Sequence, residues 1–204
     1  GAGKTTTIKM LCCLLPPTSG DALLLGDSIT ADPAAVKQKL NVSPQETAVA
    51  PNLSVRENLV LMARVYGCDR REAHFRAEEM LQAFGLKERA GDRARTLSGG
   101  MQRRLSIAMA LISNPQIVFL DEPTLGLDVR ARRDLWKVVR ALKGKITIIL
   151  TTHYLEEAEA LADRIGIMHA GRLQALGTPA ELKAQTGAAT LEEAFLALTE
   201  EGVS

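Results

Sequence analysis

Two short stretches decide the fold of this chain: LSGG at residues 97–100 and PQIVFLDEP at residues 115–123. The first has a serine followed by two glycines, which is typical of a helix start with accessible main-chain N–H groups. The second is an apolar run that ends in two adjacent carboxylates. Such a run is typical of a strand buried in a parallel sheet. Together they predict an α/β fold in which a buried strand places acidic groups at its carboxyl end.

The composition is that of a folded protein with one domain. The chain has 204 residues, of which 46% are hydrophobic and 24% charged, so it can bury a sizeable core. Its formal net charge of +1 argues against nucleic acid or an anionic membrane surface as the main partner. No segment reaches the roughly 18 apolar residues of a membrane-spanning helix. No signal peptide is recognisable.

The cysteines and the first residue give two further indications. Cys12 and Cys13 are adjacent and Cys68 stands alone, so the spacing suggests no disulfide framework and fits a reducing compartment. The chain begins inside a glycine-rich motif and not at a methionine. We therefore expect that an N-terminal piece, including one strand, is missing.

The first part of the chain predicts alternating helix and strand. We expect a helix over residues 4–15, stopped by Pro16 and Pro17. Residues 21–29 predict short antiparallel strands around a turn at Gly26 and Asp27. Residues 40–43 predict one more strand.

The middle of the chain predicts helices without strands. A capping box, Ser54-Val55-Arg56-Glu57, opens a helix that Gly67 ends. A second helix is predicted over residues 70–84, with Phe75, Met80, Leu81 and Phe84 as its apolar positions. A third begins after Ser98 and ends before residues 114–115.

The last part returns to alternating strands and helices. We expect buried strands over residues 117–120 and 146–150 and further strands over residues 165–168 and 172–176. We also expect helices over residues 129–142 and 154–162, and capping boxes at Thr178 and Thr190. The sum is a single domain over residues 1–204. Its α/β core comprises residues 1–53 and 115–204, with a mostly parallel sheet, and residues 54–114 form an inserted helical subdomain.

The N-terminal residues predict a phosphate-binding loop. Gly1-Ala2-Gly3-Lys4-Thr5 matches the last five positions of the motif G-x-x-x-x-G-K-[ST]. Glycines let main-chain N–H groups approach phosphates, and the following helix directs its positive end at them. Lys4 is then expected to contact the β- and γ-phosphates, and the Thr5 hydroxyl to bind Mg²⁺.

The acidic strand end predicts the chemistry. Asp121 is expected to lie beside the phosphate loop and to hold a water bound to Mg²⁺. Glu122 is expected to act as the general base that polarises the attacking water. We interpret two other acids, Glu46 and Asp134, as solvated or structural, and Trp136 as a core residue of an amphipathic helix.

The Ser98 turn predicts a second anion-binding site. Ser98 is a good helix cap, and the two glycines after it expose main-chain N–H groups. This site lies far along the chain from the phosphate loop. One nucleotide can reach both sites only if the fold brings them together or if two chains meet face to face.

These residues resemble the nucleotide-binding subunit of an ATP-binding-cassette (ABC) transporter. The resemblance covers nearly the whole chain, in the expected order. It rests on the phosphate loop, Gln45, the signature at residues 97–100, the carboxylates Asp121 and Glu122, the segment Gly126-Leu127-Asp128, and His153.

The resemblance implies a P-loop NTPase fold and a head-to-tail dimer that encloses two ATP molecules with Mg²⁺. Glu122, His153 and Gln45 are implied as catalytic, and Thr5, Gln45 and Asp121 as Mg²⁺ ligands. Ser98 and Gly100 of one copy would contact the γ-phosphate held by Lys4 of the other. The implied nucleotide-binding residues are Gly1, Ala2, Gly3, Lys4, Thr5, Thr6, Ser98, Gly99, Gly100 and Asp128.

The subclass follows from three further segments. Residues 52–59, 101–105 and 190–195 look like those of ABC-2-type exporters of drugs, antibiotics or sodium. Met101 stands where many cassettes have Gln, which this group tolerates. The resemblance implies ATP hydrolysis coupled to export, a separate membrane permease as partner, and a peripheral location at the cytoplasmic face of the membrane.

Two alternatives remain open from the sequence. The same cassette occurs in ATPases that act on DNA or on the ribosome, although the net charge leads us to expect no nucleic-acid partner. A regulatory subunit that does not hydrolyse ATP is the other alternative, and the presence of Glu122 and His153 disfavours it. The transported molecule cannot be identified from these residues.

Overall fold

Helices and strands are mixed along the chain, as in an α/β protein, except for a run of helices in its middle. The computed structural model describes residues 2–200. The strands are β1 (Leu23–Leu24), β2 (Asp27–Ser28), β3 (Leu40–Ser43), β4 (Ile117–Asp121), β5 (Thr147–Thr151), β6 (Ile165–His169) and β7 (Arg172–Gly177). The helices are α1 (Lys4–Leu11), α2 (Pro33–Lys39), α3 (Val55–Val65), α4 (Arg70–Ala83), α5 (Gly99–Leu111), α6 (Val129–Leu142), α7 (Leu155–Leu161), α8 (Pro179–Thr186) and α9 (Leu191–Glu200).

A parallel sheet positions the acidic residues. Within residues 2–200 it has three strands in the order β3–β4–β5. The register pairs Ser43 with Leu120 and Asp121 with Thr151, so the carboxyl ends of the three strands meet at one edge. Every residue of β4 is buried, as its continuous apolar run predicts. This confirms the predicted α/β fold and the buried strand before the two carboxylates.

The prediction of a buried strand at residues 146–150 is wrong in one respect. Strand β5 runs one residue later, and its side chains are mostly partly exposed, with Ile149 36% exposed. Among the described residues, β5 pairs with β4 on one side only. An edge strand has fewer neighbours to cover it, and an apolar run cannot reveal how many neighbours a strand has.

The predicted helices of the middle segment are confirmed, with one misplaced side chain. Ser54 and Glu57 form the capping box at the start of α3. The buried face of α4 carries Ala73, Ala77 and Leu81, spaced four residues apart, and packs on α3. Phe75 lies off this face and is 64% exposed, so its assignment to the apolar face was wrong.

Two local features of the N-terminal part differ from the prediction. Helix α1 ends at Leu11, earlier than expected, because Cys13 adopts a left-handed conformation with φ of +55°. Helix α2 was not predicted, although its signals are present. The Asp32 side chain accepts a hydrogen bond from the Ala35 N–H, and Pro33 occupies the first helical position.

The C-terminal part agrees with its predictions. Strands β6 and β7 form an antiparallel pair, and α6 has the predicted bounds. Thr178 and Thr190 both cap helices by accepting a hydrogen bond from the N–H three residues later. None of the helices described over residues 2–200 has the length and apolar character needed to cross a membrane.

Candidate active site

The phosphate loop leads directly into α1. Gly3 precedes the helix with φ of +91°, a conformation that side chains other than glycine rarely adopt. A Cβ atom at this position would also lie 3.4 Å from the Cα of Gly171, whose N–H donates to the Ala2 carbonyl. Lys4 is the first residue of α1. Thr6 follows on the same helix and is exposed. Gly1 lies outside the described residues.

Thr5 meets the acidic strand end across 116 residues of sequence. Its hydroxyl donates to Oδ1 of Asp121 at 3.3 Å. The Thr151 hydroxyl donates to the same oxygen at 2.5 Å, and Asp121 is 5% exposed. A carboxylate and a hydroxyl that converge at the start of a phosphate loop are oxygen ligands of the kind that Mg²⁺ prefers. The donor set therefore fits a magnesium ion.

Glu122 lies between a cation and an imidazole. Its Oε1 is 4.0 Å from the ammonium nitrogen of Lys4, and its Oε2 is 2.7 Å from Nδ1 of His153. The backbone of Glu122 is left-handed, with φ of +49°. Residues held in such sparsely populated conformations cluster at active sites. This arrangement can orient a carboxylate toward a water molecule beside a phosphate held by Lys4.

His153 contacts the ring of Tyr154, which in turn contacts Arg132. Its ring centroid lies 4.2 Å from that of Tyr154, and the guanidinium carbon of Arg132 lies 4.4 Å from the Tyr154 centroid. This stack links the histidine to α6, which Asp128 caps by accepting a hydrogen bond from the Ala131 N–H. His153 is thus positioned by its neighbours as well as by Glu122.

Gln45 lies in the loop after β3 with an exposed side chain. The hydrogen bond found for it in the described part of the chain uses its main-chain carbonyl, which accepts from Arg103 at 3.3 Å. The structure therefore places the Gln45 backbone, but not its side-chain amide, against the residues of the site.

The signature turn is separate from the phosphate loop. Ser98 caps α5 by accepting a hydrogen bond from the Met101 N–H at 3.3 Å, and Gly99 is the first residue of α5. A Cβ atom on Gly100 would lie 2.9 Å from the Cβ of Ala131, so glycine is required where α5 meets α6. Ser98, Gly100 and Asp128 line one shallow depression. No hydrogen bond within residues 2–200 joins this turn to Lys4, Glu122 or His153.

Some residues that support the site were not singled out from the sequence. The Thr151 hydroxyl donates a hydrogen bond to Asp121, and the Thr151 main-chain carbonyl accepts one from the Glu122 N–H at 3.1 Å.

Arg103 and Glu157 are buried charged residues on α5 and α7 that were also not singled out from the sequence. Each shares a helix face with apolar residues four positions later, Ile107 and Leu161, which are buried. A charge on an apolar helix face is the signal that could have found them.

Comparison with known proteins identifies the family of this chain. The family model described as "ABC transporter" matches residues 1–125. The chain is 45% identical, over 94% of its length, to the daunorubicin/doxorubicin resistance ATP-binding protein DrrA of Streptomyces peucetius. It spans 58% of the length of that relative.

Solved structures show the same fold. An ATP-binding subunit of an ABC transporter superposes with a TM-score of 0.83 and 32% identity, covering 97% of this chain and 83% of that one. A dimeric ATP-binding cassette in a post-hydrolysis state with ADP and Pi superposes with a TM-score of 0.76 and 26% identity, covering 87% of this chain and 81% of that one. The protein therefore belongs to the ABC transporter family.

Proposed function

We propose that this chain binds Mg-ATP and hydrolyses it to drive export through a membrane partner. The observation that carries the proposal is the position of the Glu122 carboxylate between Lys4 and His153, beside the Thr5–Asp121 pair. A carboxylate, an ammonium group, an imidazole and a pair of oxygen ligands suited to magnesium lie close together. This combination fits phosphoryl transfer from a nucleoside triphosphate, and we propose water as the acceptor.

The residues of the loop and of the strand end would bind the substrate. Lys4 would contact the β- and γ-phosphates, and main-chain N–H groups of residues 1–6 would complete the cradle. Thr5 and Asp121 would hold Mg²⁺, with Gln45 as a further ligand once its exposed side chain turns inward. The ion supplies neutralisation of the charge on the phosphate oxygens.

Glu122 and His153 would carry the chemical step. The carboxylate would take the proton of the attacking water while His153 holds the carboxylate in place and contacts the γ-phosphate. A hydrogen bond of 2.7 Å from the imidazole limits the rotation of the carboxylate. Such positioning of reacting groups accounts for a large part of enzymatic rate enhancement.

A second copy of the chain would complete the site. The N-terminal end of α5 has accessible N–H groups, yet none of the hydrogen bonds described over residues 2–200 joins it to Lys4 or Thr5. In a head-to-tail dimer, Ser98, Gly99 and Gly100 would contact the γ-phosphate bound by the partner, with Asp128 at the junction. The dimeric state of the solved cassette with ADP and Pi supports this arrangement.

The membrane partner is inferred from the relatives. DrrA is named for resistance to daunorubicin and doxorubicin. We propose that this chain serves an exporter, with a separate permease, at the cytoplasmic face of the membrane. Residues 54–114 would move as a helical subdomain relative to residues 1–53 and 115–204. The loop of Gln45 and helix α3 would transmit that motion to the permease.

Mg-ATP turnover by the full-length protein tests the proposal. Glu122→Gln keeps the size of the side chain but removes the base, so we expect turnover to fall by at least about 100-fold. An ATP-dependent dimer should accumulate in gel filtration. Glu79→Gln, which makes the same chemical change at an exposed position of α4, serves as the matched control and should leave turnover unchanged.

Three outcomes would count against parts of this proposal. Turnover by Glu122→Gln at the native rate would exclude Glu122 as the base. ATP-induced species that stay monomeric would exclude the shared site. Stimulation of turnover by RNA, without stimulation by a membrane partner, would favour a nucleic-acid function over export.

A further inference from the structure

Arg103 is a buried arginine on α5, which we call the signature helix because it begins at the signature turn. It joins this helix to two segments of the site, at residues 44–45 and 121–123. Arg103 is 4% exposed. Its Nε donates to the Pro123 carbonyl at 3.0 Å and its Nη2 to the Asp121 carbonyl at 2.8 Å. Its Nη1 donates to the carbonyls of Pro44 and Gln45. The planar guanidinium can reach all four carbonyls at once because its donors form a fixed fork.

Two of these carbonyls belong to the neighbours of Glu122 in sequence. The Asp121 carbonyl is part of the peptide group just before Glu122, and the Pro123 carbonyl lies one residue after it, so Arg103 holds the chain before and after Glu122. A left-handed backbone is unfavourable for a residue other than glycine, and Glu122 has φ of +49°. The Glu122 N–H is held separately by the Thr151 carbonyl. The strained turn therefore has one anchor in β5 and one in α5.

The charge of Arg103 makes this anchor rigid. Burial lowers the pKa of its guanidinium, while the carboxylates of Asp121 and Glu157 act in the opposite direction. Arginine stays protonated at neutral pH. Among the described residues, its hydrogen bonds go to main-chain carbonyls and not to a carboxylate. A buried guanidinium that loses these acceptors would be costly, so the loops are held against it.

We propose that Arg103 is a positioning residue, which holds the Glu122 turn and the start of the Gln45 loop in one geometry relative to the signature helix. The inference rests on the proposed ATP hydrolysis. Arg103 acts through Glu122 and touches no reacting atom. Because Ser98 caps the helix that carries Arg103, the turn that would contact the partner's nucleotide is tied to the proposed base of this chain's own site.

Two substitutions separate positioning from packing. Arg103→Lys keeps the charge and most of the stem, but an ammonium group cannot span four carbonyls. Arg103→Met keeps the stem and removes every donor. We expect kcat per folded ATP-binding site to fall about 10–100-fold in Arg103→Lys, the range typical of residues that orient the ligands of a metal site from behind. The KM for ATP should change by less than about threefold, because the phosphate loop is untouched.

A double substitution tests whether Arg103 acts through Glu122. If it does, Arg103→Lys combined with Glu122→Gln should hydrolyse ATP no more slowly in single turnover than Glu122→Gln alone. Arg76→Met is the matched control, because Arg76 donates to the Ile112 carbonyl at the opposite end of α5. It should lower stability slightly and leave kcat unchanged.

Several results would overturn the inference. The first is a folded Arg103→Lys variant with the native kcat. The second is a double variant that hydrolyses ATP more slowly than Glu122→Gln by the same factor that Arg103→Lys alone loses. The third is a loss of kcat in Arg76→Met equal to that in Arg103→Lys. Failure of both Arg103 variants to fold would show a structural role instead. Absence of turnover in the native protein would refute the proposed ATP hydrolysis first, and the role of Arg103 with it.

Discussion

Replacing Glu157 tests the buried polar network beneath the site. This carboxylate on α7 is fully buried. It accepts hydrogen bonds of 3.0 Å from the indole Nε1 of Trp136 on α6 and from the hydroxyl of Thr124, which follows the Glu122 turn. We consider two changes, Glu157→Gln and Glu157→Leu, and expect different costs from them.

The magnitudes follow from the donors. The Trp136 indole can only donate, so the carbonyl oxygen of a glutamine must face it, while the Thr124 hydroxyl can rotate and accept from the amide. Both hydrogen bonds then survive in Glu157→Gln but lose their charge-assisted part, about 1 kcal/mol each. We expect this variant to lose about 2 kcal/mol. In Glu157→Leu both donors are left unpaired at about 1–3 kcal/mol each, for a loss of about 4 kcal/mol.

Urea unfolding at neutral pH measures these differences, and thermal unfolding checks them. For a protein of this size, each kcal/mol shifts Tm by roughly 2–4 °C. Glu156→Gln, an exposed neighbour on the same helix, is the control and should change stability by less than about 0.5 kcal/mol. Equal losses in the two Glu157 variants, or a loss no larger than the control's, would refute the assigned hydrogen bonds.

Three further outcomes are expected. Gly3→Ala should weaken the binding of a fluorescent ATP analogue by about tenfold or more, since alanine in the left-handed region costs about 1–2 kcal/mol and its Cβ meets Gly171; unchanged affinity would contradict this. Gly100→Ala should reduce ATP turnover more than ATP affinity, because its Cβ would lie 2.9 Å from Ala131 and force α5 and α6 apart; a crystal structure with unshifted helices would count against that reason. Burial raises the pKa of the Cys12 thiol from its ordinary value of 9.0 to about 12. Between pH 9 and about pH 12 the unfolded state therefore binds fewer protons than the folded state. The free energy of unfolding should then fall as pH rises, by up to about 1.4 kcal/mol per pH unit. In urea unfolding from pH 8 to 11, Cys12→Ala should lack this extra slope; parallel curves for the two proteins would disprove it.

Much of the fold was predictable because its signals are local. The bounds of α6, the strand at residues 40–43 and the capping boxes at Ser54 and Thr178 depend on neighbours within a few residues. Helix α2 shows that a local signal can also be overlooked. Its aspartate cap and first-turn proline are both visible in the sequence.

The errors on exposure have a different origin. Ile149 lies in a strand that was predicted to be buried, and Phe75 was predicted as an apolar position of its helix, yet both side chains are exposed. Burial depends on what packs against an element. The sequence of a strand at the edge of a sheet looks like that of a central strand. In the same way, an apolar residue on the exposed side of a helix looks like one on its buried side.

By itself, the sequence determined the order of the elements and the chemical types of the groups at their ends. Hydrophobic period, helix caps and glycine positions are short-range properties, so they can be interpreted without coordinates. They indicated Lys4, Asp121 and Glu122 as chemistry-bearing residues. The resemblance to a family added His153 and Gln45.

Only the tertiary structure decided which of these groups meet. The Thr5 and Asp121 side chains lie 116 residues apart in sequence and 3.3 Å apart in space. Arg103 contacts carbonyls in two loops at once, and carbonyls are identical in every residue, so no sequence pattern marks them as acceptors. Contacts of this kind arise from the pairing of strands and the packing of α5 on their ends, which bring distant segments together to bury apolar surface.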